Sequence, residues 1–158
     1  MKTSCAHDGE AAGLNKGELA TALADAEARC VTAEERLTGP RRRVLELLLA
    51  SGTPVKAYDL IAAFGTEGEA AKPPTVYRAL EFLERLGFAH RLESLNAYVA
   101  CRRSDEGHAA AFLICDCCGA TEEFEPEVAS AVQRAAGARD YVVERVTLEA
   151  HGRCPACR

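Results

Sequence analysis

The chain has 158 residues, 48% of them hydrophobic and 27% charged, with eight cysteines and a net charge of −5. These proportions fit one globular domain or two small ones and exclude low-complexity, collagen-like and strongly disordered classes. No apolar run approaches the ~18 residues of a membrane span, and MKTSCAHDGEAAG lacks the apolar stretch of a signal peptide, so a cytoplasmic protein with no membrane partner is expected.

The charge is unevenly spread. Residues 1–37 carry 4 basic and 7 acidic side chains, residues 38–103 carry 10 and 7, and residues 104–158 carry 5 and 10. Only the middle segment is net positive, so only it suits a polyanion.

In chain order, residues 16–37 are rich in Ala, Glu and Leu without proline, which predicts a first helix. Thr38-Gly39-Pro40 predicts the start of a second, with the Thr38 hydroxyl as its cap and Val44, Leu45, Leu47, Leu48 and Leu49 as its buried face. Ser51-Gly52-Thr53-Pro54 ends it. A third helix is expected over 56–64, closed by Gly65 and Gly68. Pro73-Pro74 opens a fourth over 75–86, with Val76, Leu80, Leu83 and Leu86 inward and Thr75, Tyr77, Arg78 and Arg85 outward. Residues 88–92 and 97–100 flank Glu93-Ser94-Leu95-Asn96 as a short hairpin. Helices followed by such a hairpin describe a winged helix-turn-helix.

The remainder reads as a separate small α/β lobe: strands over 110–115 and 120–125, a helix over 126–138, and a strand over 141–149 carrying Val142, Val143, Val146 and Leu148. The expected fold is therefore α+β, with a DNA-binding winged helix over 1–100, a polar hinge over 101–107 and a second domain over 108–158.

Cysteine spacing carries the chemistry. Cys115-Asp116-Cys117-Cys118 and Cys154-Pro155-Ala156-Cys157 form two C-x-x-C pairs with 35 residues between Cys118 and Cys154. In a reducing compartment such pairs favour metal over disulfides, and four thiolates close a tetrahedral structural zinc site. A thioredoxin-like redox motif instead needs one pair opening a helix, whereas both pairs here follow expected strands. Cys117 falls inside the first knuckle and is read as a bystander. His90, Cys101, His108 and Glu123 form a weaker set. Spacing alone leaves them as a surface histidine, a buried free thiol, a loop histidine and a solvated acid, or as a mixed-ligand site bracketing the hinge.

The runs Ala71-Lys72-Pro73-Pro74-Thr75-Val76-Tyr77-Arg78-Ala79-Leu80-Glu81-Phe82-Leu83, His90-Arg91-Leu92-Glu93-Ser94-Leu95-Asn96-Ala97-Tyr98 and Cys115-Asp116-Cys117-Cys118-Gly119, with Leu37-Thr38-Gly39-Pro40-Arg41-Arg42 before them, resemble the ferric uptake regulator family in its zinc uptake regulator branch. The resemblance spans roughly residues 37–157. It implies a homodimer held by the second domain, a structural zinc on Cys115, Cys118, Cys154 and Cys157, and a regulatory zinc on His90, Cys101, His108 and Glu123, hence two zinc ions per subunit and no organic cofactor. It also implies operator contacts from Tyr58 and Arg78. The family's histidine-rich run is here reduced to His108 followed by three alanines, so the additional metal site of iron-sensing relatives is expected to be missing. The step from Cys101 to His108 is slightly short for the family, and Cys117 is outside its pattern. Cys5, His7 and Cys30 have no assigned role beyond packing for Cys30; His151 either orients the Cys154 loop or lies on the surface.

Arginine can read guanine bidentately in the major groove, which favours Arg78 for base readout, while Thr75, Tyr77, Arg41 and Lys56 suit phosphate positioning on double-stranded operator DNA. The expected function is a zinc-responsive repressor of zinc uptake genes, in which zinc favours the DNA-competent dimer. The alternatives are an iron, manganese or peroxide sensor of the same family and, from another class, a zinc or thiol enzyme. The thiolate of Cys101 favours zinc, and two sets of four protein ligands leave no position for a substrate, so no enzyme is expected.

Overall fold

In a computed structural model, residues 13–65, 72–101 and 109–158 are described. They fall into two compact units, the first ending before the second begins near residue 105.

The first unit opens with α1 (Lys16–Thr32), started by a capping box. The Asn15 side chain accepts the N–H groups of Gly17 and Glu18 at 2.9 and 3.0 Å, and the Glu18 carboxylate accepts that of Asn15 at 2.9 Å. The helix buries Leu23, Ala26 and Cys30 and stops five residues short of the expected end. Glu34 takes a left-handed φ of 56°, and the reversal seats Leu37 in the core.

Helix α2 (Gly39–Ser51) starts at Thr38 as expected, but the hydroxyl makes no capping bond; the Thr38 carbonyl accepts from Arg42 at 2.9 Å instead. Helix α3 (Ala57–Phe64) buries Leu60, and α4 (Pro73–Arg85) buries Val76, Ala79, Leu80, Phe82 and Leu83, with Leu86 its half-buried cap. Gly68 and Ala71 lie outside the described residues. Gly87, at φ 70°, turns the chain into β1 (Ala89–Leu92), which pairs antiparallel with β2 (Ala97–Ala100). Val55 and Tyr98 exchange two backbone bonds of 2.8 Å and tie this hairpin to the start of α3. One apolar cluster joins all four helices to the hairpin. The result is the expected winged helix.

The second unit is a three-stranded sheet in the order β4-β3-β5. Strand β3 (Ala110–Cys115) is buried at every residue but Leu113 and pairs antiparallel with β4 (Thr121–Phe124) and parallel with β5 (Thr147–Gly152). Helix α5 (Val128–Gly137) crosses between β4 and β5 and buries no residue within the chain. The last strand departs from expectation: residues 141–146 form no strand, Val142 is 90% exposed, and β5 begins at Thr147. Valine-rich composition had placed it too early; the parallel register with β3, which brings Gly152 opposite Cys115, decides its true position.

Candidate metal centre and nucleic-acid interface

Strand ends bring the four cysteines together. Cys115 ends β3, and Gly119, at φ 77°, closes a turn in which its N–H reaches the Cys115 carbonyl at 2.9 Å, presenting Cys118. Cys154 follows β5 and caps the short 3-10 turn Pro155–Cys157. The N–H of Asp116 reaches the Gly152 carbonyl at 2.9 Å and that of Cys154 reaches Cys115 Sγ at 3.3 Å, so the two loops are bonded to each other. None of the four is in a disulfide, and their sulfurs lie within 4.8 Å of one another.

The donor set fits zinc. A tetrahedron with Zn–S bonds of about 2.3 Å has sulfurs roughly 3.8 Å apart, and Cys118 and Cys154 stand 3.7 Å apart. Backbone N–H groups of Cys118 and Cys154 hold the Cys115 thiol down from 9.0 to about 6, so one ligand is a thiolate near neutral pH. Burial, with hydrogen bonding from Cys154, pushes the Cys157 thiol up. Beside the cluster, His151 Nδ1 lies 2.8 Å from Asp116 Oδ1, so this histidine ties the end of β5 to the first knuckle loop.

Of the second ligand set, His90 lies buried on β1 opposite Val99, and Cys101 follows β2 half-buried. Their ligand atoms are within 4.8 Å, and the Cys101 N–H donates to the Phe88 carbonyl at 2.9 Å. Glu123 stands half-buried on β4 of the other unit, paired with Phe112. His108 lies outside the described residues, as do Cys5 and His7. Cys30 is fully buried in the helical core, where desolvation raises its thiol and keeps it neutral.

The outward face of the first unit carries the residues expected to meet DNA. Tyr58 on α3 is 78% exposed, Tyr77 on α4 is 49% exposed, Arg78 is exposed beside it, and Thr75 is half-buried one turn earlier. Lys56 is exposed at the start of α3. Arg41 differs: its guanidinium lies 3.5 Å from the Phe82 ring centroid, donates to the Arg36 carbonyl at 2.6 Å and pairs with Glu35 at 3.9 Å. These contacts hold the guanidinium against the unit, with the side chain 29% exposed.

The model of the "Ferric uptake regulator family" matches residues 32–151. The chain belongs to the ferric uptake regulator family. Among its relatives, the zinc uptake regulation protein of Escherichia coli (strain K12) is 42% identical over 137 residues, covering 85% of this chain and 80% of that protein. The protein of the same name from Shigella flexneri matches equally, at 42% identity and the same coverage. Among solved structures, a zinc uptake regulator complexed with zinc and DNA has a TM-score of 0.79 at 38% identity, covering 87% of this chain and 93% of that one. Holo XcZur has a TM-score of 0.77 at 42% identity, covering 85% and 95%.

Sequence reasoning missed a set of polar contacts around the C-terminal end of α4. Arg85 pairs with Glu35 at 2.7 Å, and Arg29 donates to the Leu86 carbonyl at 3.2 Å while its guanidinium lies 4.4 Å from the Phe88 ring centroid. The partners are 50 and 57 positions apart, so no local pattern marks them.

Proposed function

We propose that this family member is a zinc-responsive transcriptional repressor: a cytoplasmic homodimer that binds operator DNA through its winged helix when zinc occupies a regulatory site, and so represses zinc uptake genes. The observation that carries the reading is the paired His90 and Cys101 at the end of the wing, a nitrogen and a sulfur donor in a chain 42% identical to a zinc uptake regulation protein. Softer sulfur ligands suit zinc better than manganese or oxygen-rich iron sites. Membership of a family of regulators sets aside the hydrolase and thiol-redox readings.

In this reading each subunit takes two zinc ions. One sits on Cys115, Cys118, Cys154 and Cys157, with no position open to substrate, and contributes to the folding of residues 108–158 as the dimerisation domain. The other sits on His90, Cys101, His108 and Glu123, across the 101–107 hinge from the DNA-binding domain of residues 1–100. Zinc there acts as co-repressor because it binds the DNA-competent arrangement more tightly; moving a population from mostly open to mostly closed needs on the order of 5 kcal/mol of preference. Arg78 reads a base, Tyr58, Thr75, Tyr77 and Lys56 position the backbone, and the symmetric dimer reads an inverted repeat.

The deciding experiment is selection of duplexes from a random pool with the protein and zinc, iron or manganese in turn. Recovery of one inverted repeat with zinc at the lowest free metal supports the reading. Recovery only with iron or manganese replaces it by the alternative sensor.

A further inference from the structure

Arg29 sits in the last turn of α1, and its guanidinium does two things at once. It donates to the carbonyl of Leu86, the cap of the recognition helix α4, where a cation meets the negative end of the helix dipole. It also covers the ring of Phe88, the buried residue that follows the Gly87 turn and precedes β1. The Phe88 carbonyl in turn accepts the Cys101 N–H at 2.9 Å, and His90 lies two residues further on, in β1. The Phe88 N–H returns to the Leu83 carbonyl at 2.8 Å, closing the segment back onto α4. One side chain therefore grips the short link between the recognition helix and the strand ends that carry His90 and Cys101.

We propose that Arg29 is a positioning residue that couples those two zinc ligands to the recognition helix. The proposal rests on the zinc-responsive reading above. Helix α4 has 13 residues, so it is about 20 Å long and a tilt of about 10° about its C-terminal end displaces its first turn by roughly 3 Å. Displacements of that size break hydrogen bonds from Thr75, Tyr77 or Arg78 to DNA. A shift of His90 and Cys101 on metal loading would reach the Phe88 carbonyl through the Cys101 N–H, and Arg29 joins the Phe88 ring to the Leu86 carbonyl at the end of the helix. Without it, the link to α4 rests on the backbone bonds of the turn alone, Gly87 N–H to Glu84 and Phe88 N–H to Leu83.

The test uses the full-length protein as wild type, Arg29→Leu and Arg29→Lys, with zinc content, thermal stability and affinity for a wild-type-selected operator measured with and without zinc in the regulatory site. Arg29→Leu should keep the dimer, its zinc content and its zinc-free DNA affinity, yet lose about tenfold of the zinc-dependent gain in operator affinity. Arg29→Lys, which keeps a cation near Leu86 but cannot also cover Phe88, should fall between. A wild-type gain in Arg29→Leu overturns the proposal, and so does an equal loss with and without zinc, which marks a role in folding alone. If Arg29→Leu does not fold, Arg29→Lys decides by the same ratio, and an undiminished gain overturns it. A wild type that gains nothing from zinc removes the underlying reading instead.

Discussion

The Cys115 thiol, held at about 6 by two backbone N–H groups, sets the proton count of metal binding at the cysteine cluster. Near pH 7 one ligand is already ionised, so zinc loading should release about three protons rather than four. The sign follows: protons compete with zinc, so affinity falls as pH falls, and the dependence steepens below about 6, where Cys115 must also be deprotonated. Calorimetry in buffers of different ionisation enthalpy measures the count, and a value of four at pH 7 contradicts the assignment. At the DNA face, Arg78→Ala should lose discrimination between operator and random duplex while the folded dimer persists. An unchanged preference moves base readout to another residue. Arg41→Ala should also act on stability, by about 1 kcal/mol, because it uncovers Phe82 and frees the Arg36 carbonyl. Chemical denaturation that leaves its midpoint unmoved contradicts that placement. The clustering of the four cysteines was legible from sequence because a knuckle needs its two sulfurs at fixed spacing. Arg41 was not, since nothing local marks a guanidinium that stacks on a ring 41 positions away.

Among the elements, the helices and the wing were legible because prolines, glycines and period-spaced leucines mark their ends and buried faces. Two boundaries were not. Helix-favouring residues without proline continue past Thr32 to Leu37, but the core contact of Leu37 reverses the chain at Glu34; valines at 142, 143 and 146 resemble a strand, but pairing with β3 begins only at Ala110 with Thr147. The same region leaves apolar groups uncovered: Val128 and Val132 on α5, Tyr141, Val142 and Leu148 are all exposed within one chain. A second copy is the occupant the proposed dimer supplies. Val132→Asp should therefore convert the dimer to a monomer with the cysteine zinc retained, as read by light scattering and metal analysis. A persistent dimer places the interface elsewhere. Cys118→Ser should act differently, releasing the metal and destabilising the whole second unit, because binding there is part of its folding free energy.

At the scale of the whole molecule, regulation requires that one metal distinguish two arrangements of a chain whose two units each fold around their own core. The cysteine cluster lies wholly within the second unit, whereas His90 and Cys101 lie at the end of the first; in the proposed function the former serves architecture and the latter regulation. Family membership and the order of the motifs were legible before any coordinates, while the contacts of Arg29 with Leu86 and Phe88 required them. Cys101→Ser separates the two functions most directly. Free zinc is titrated into wild type and mutant while zinc content and operator affinity are followed together. The mutant should keep its dimer and its cysteine-bound zinc but gain no operator affinity at zinc levels that saturate the wild type; a mutant that gains affinity at the same free zinc contradicts the regulatory role of this site.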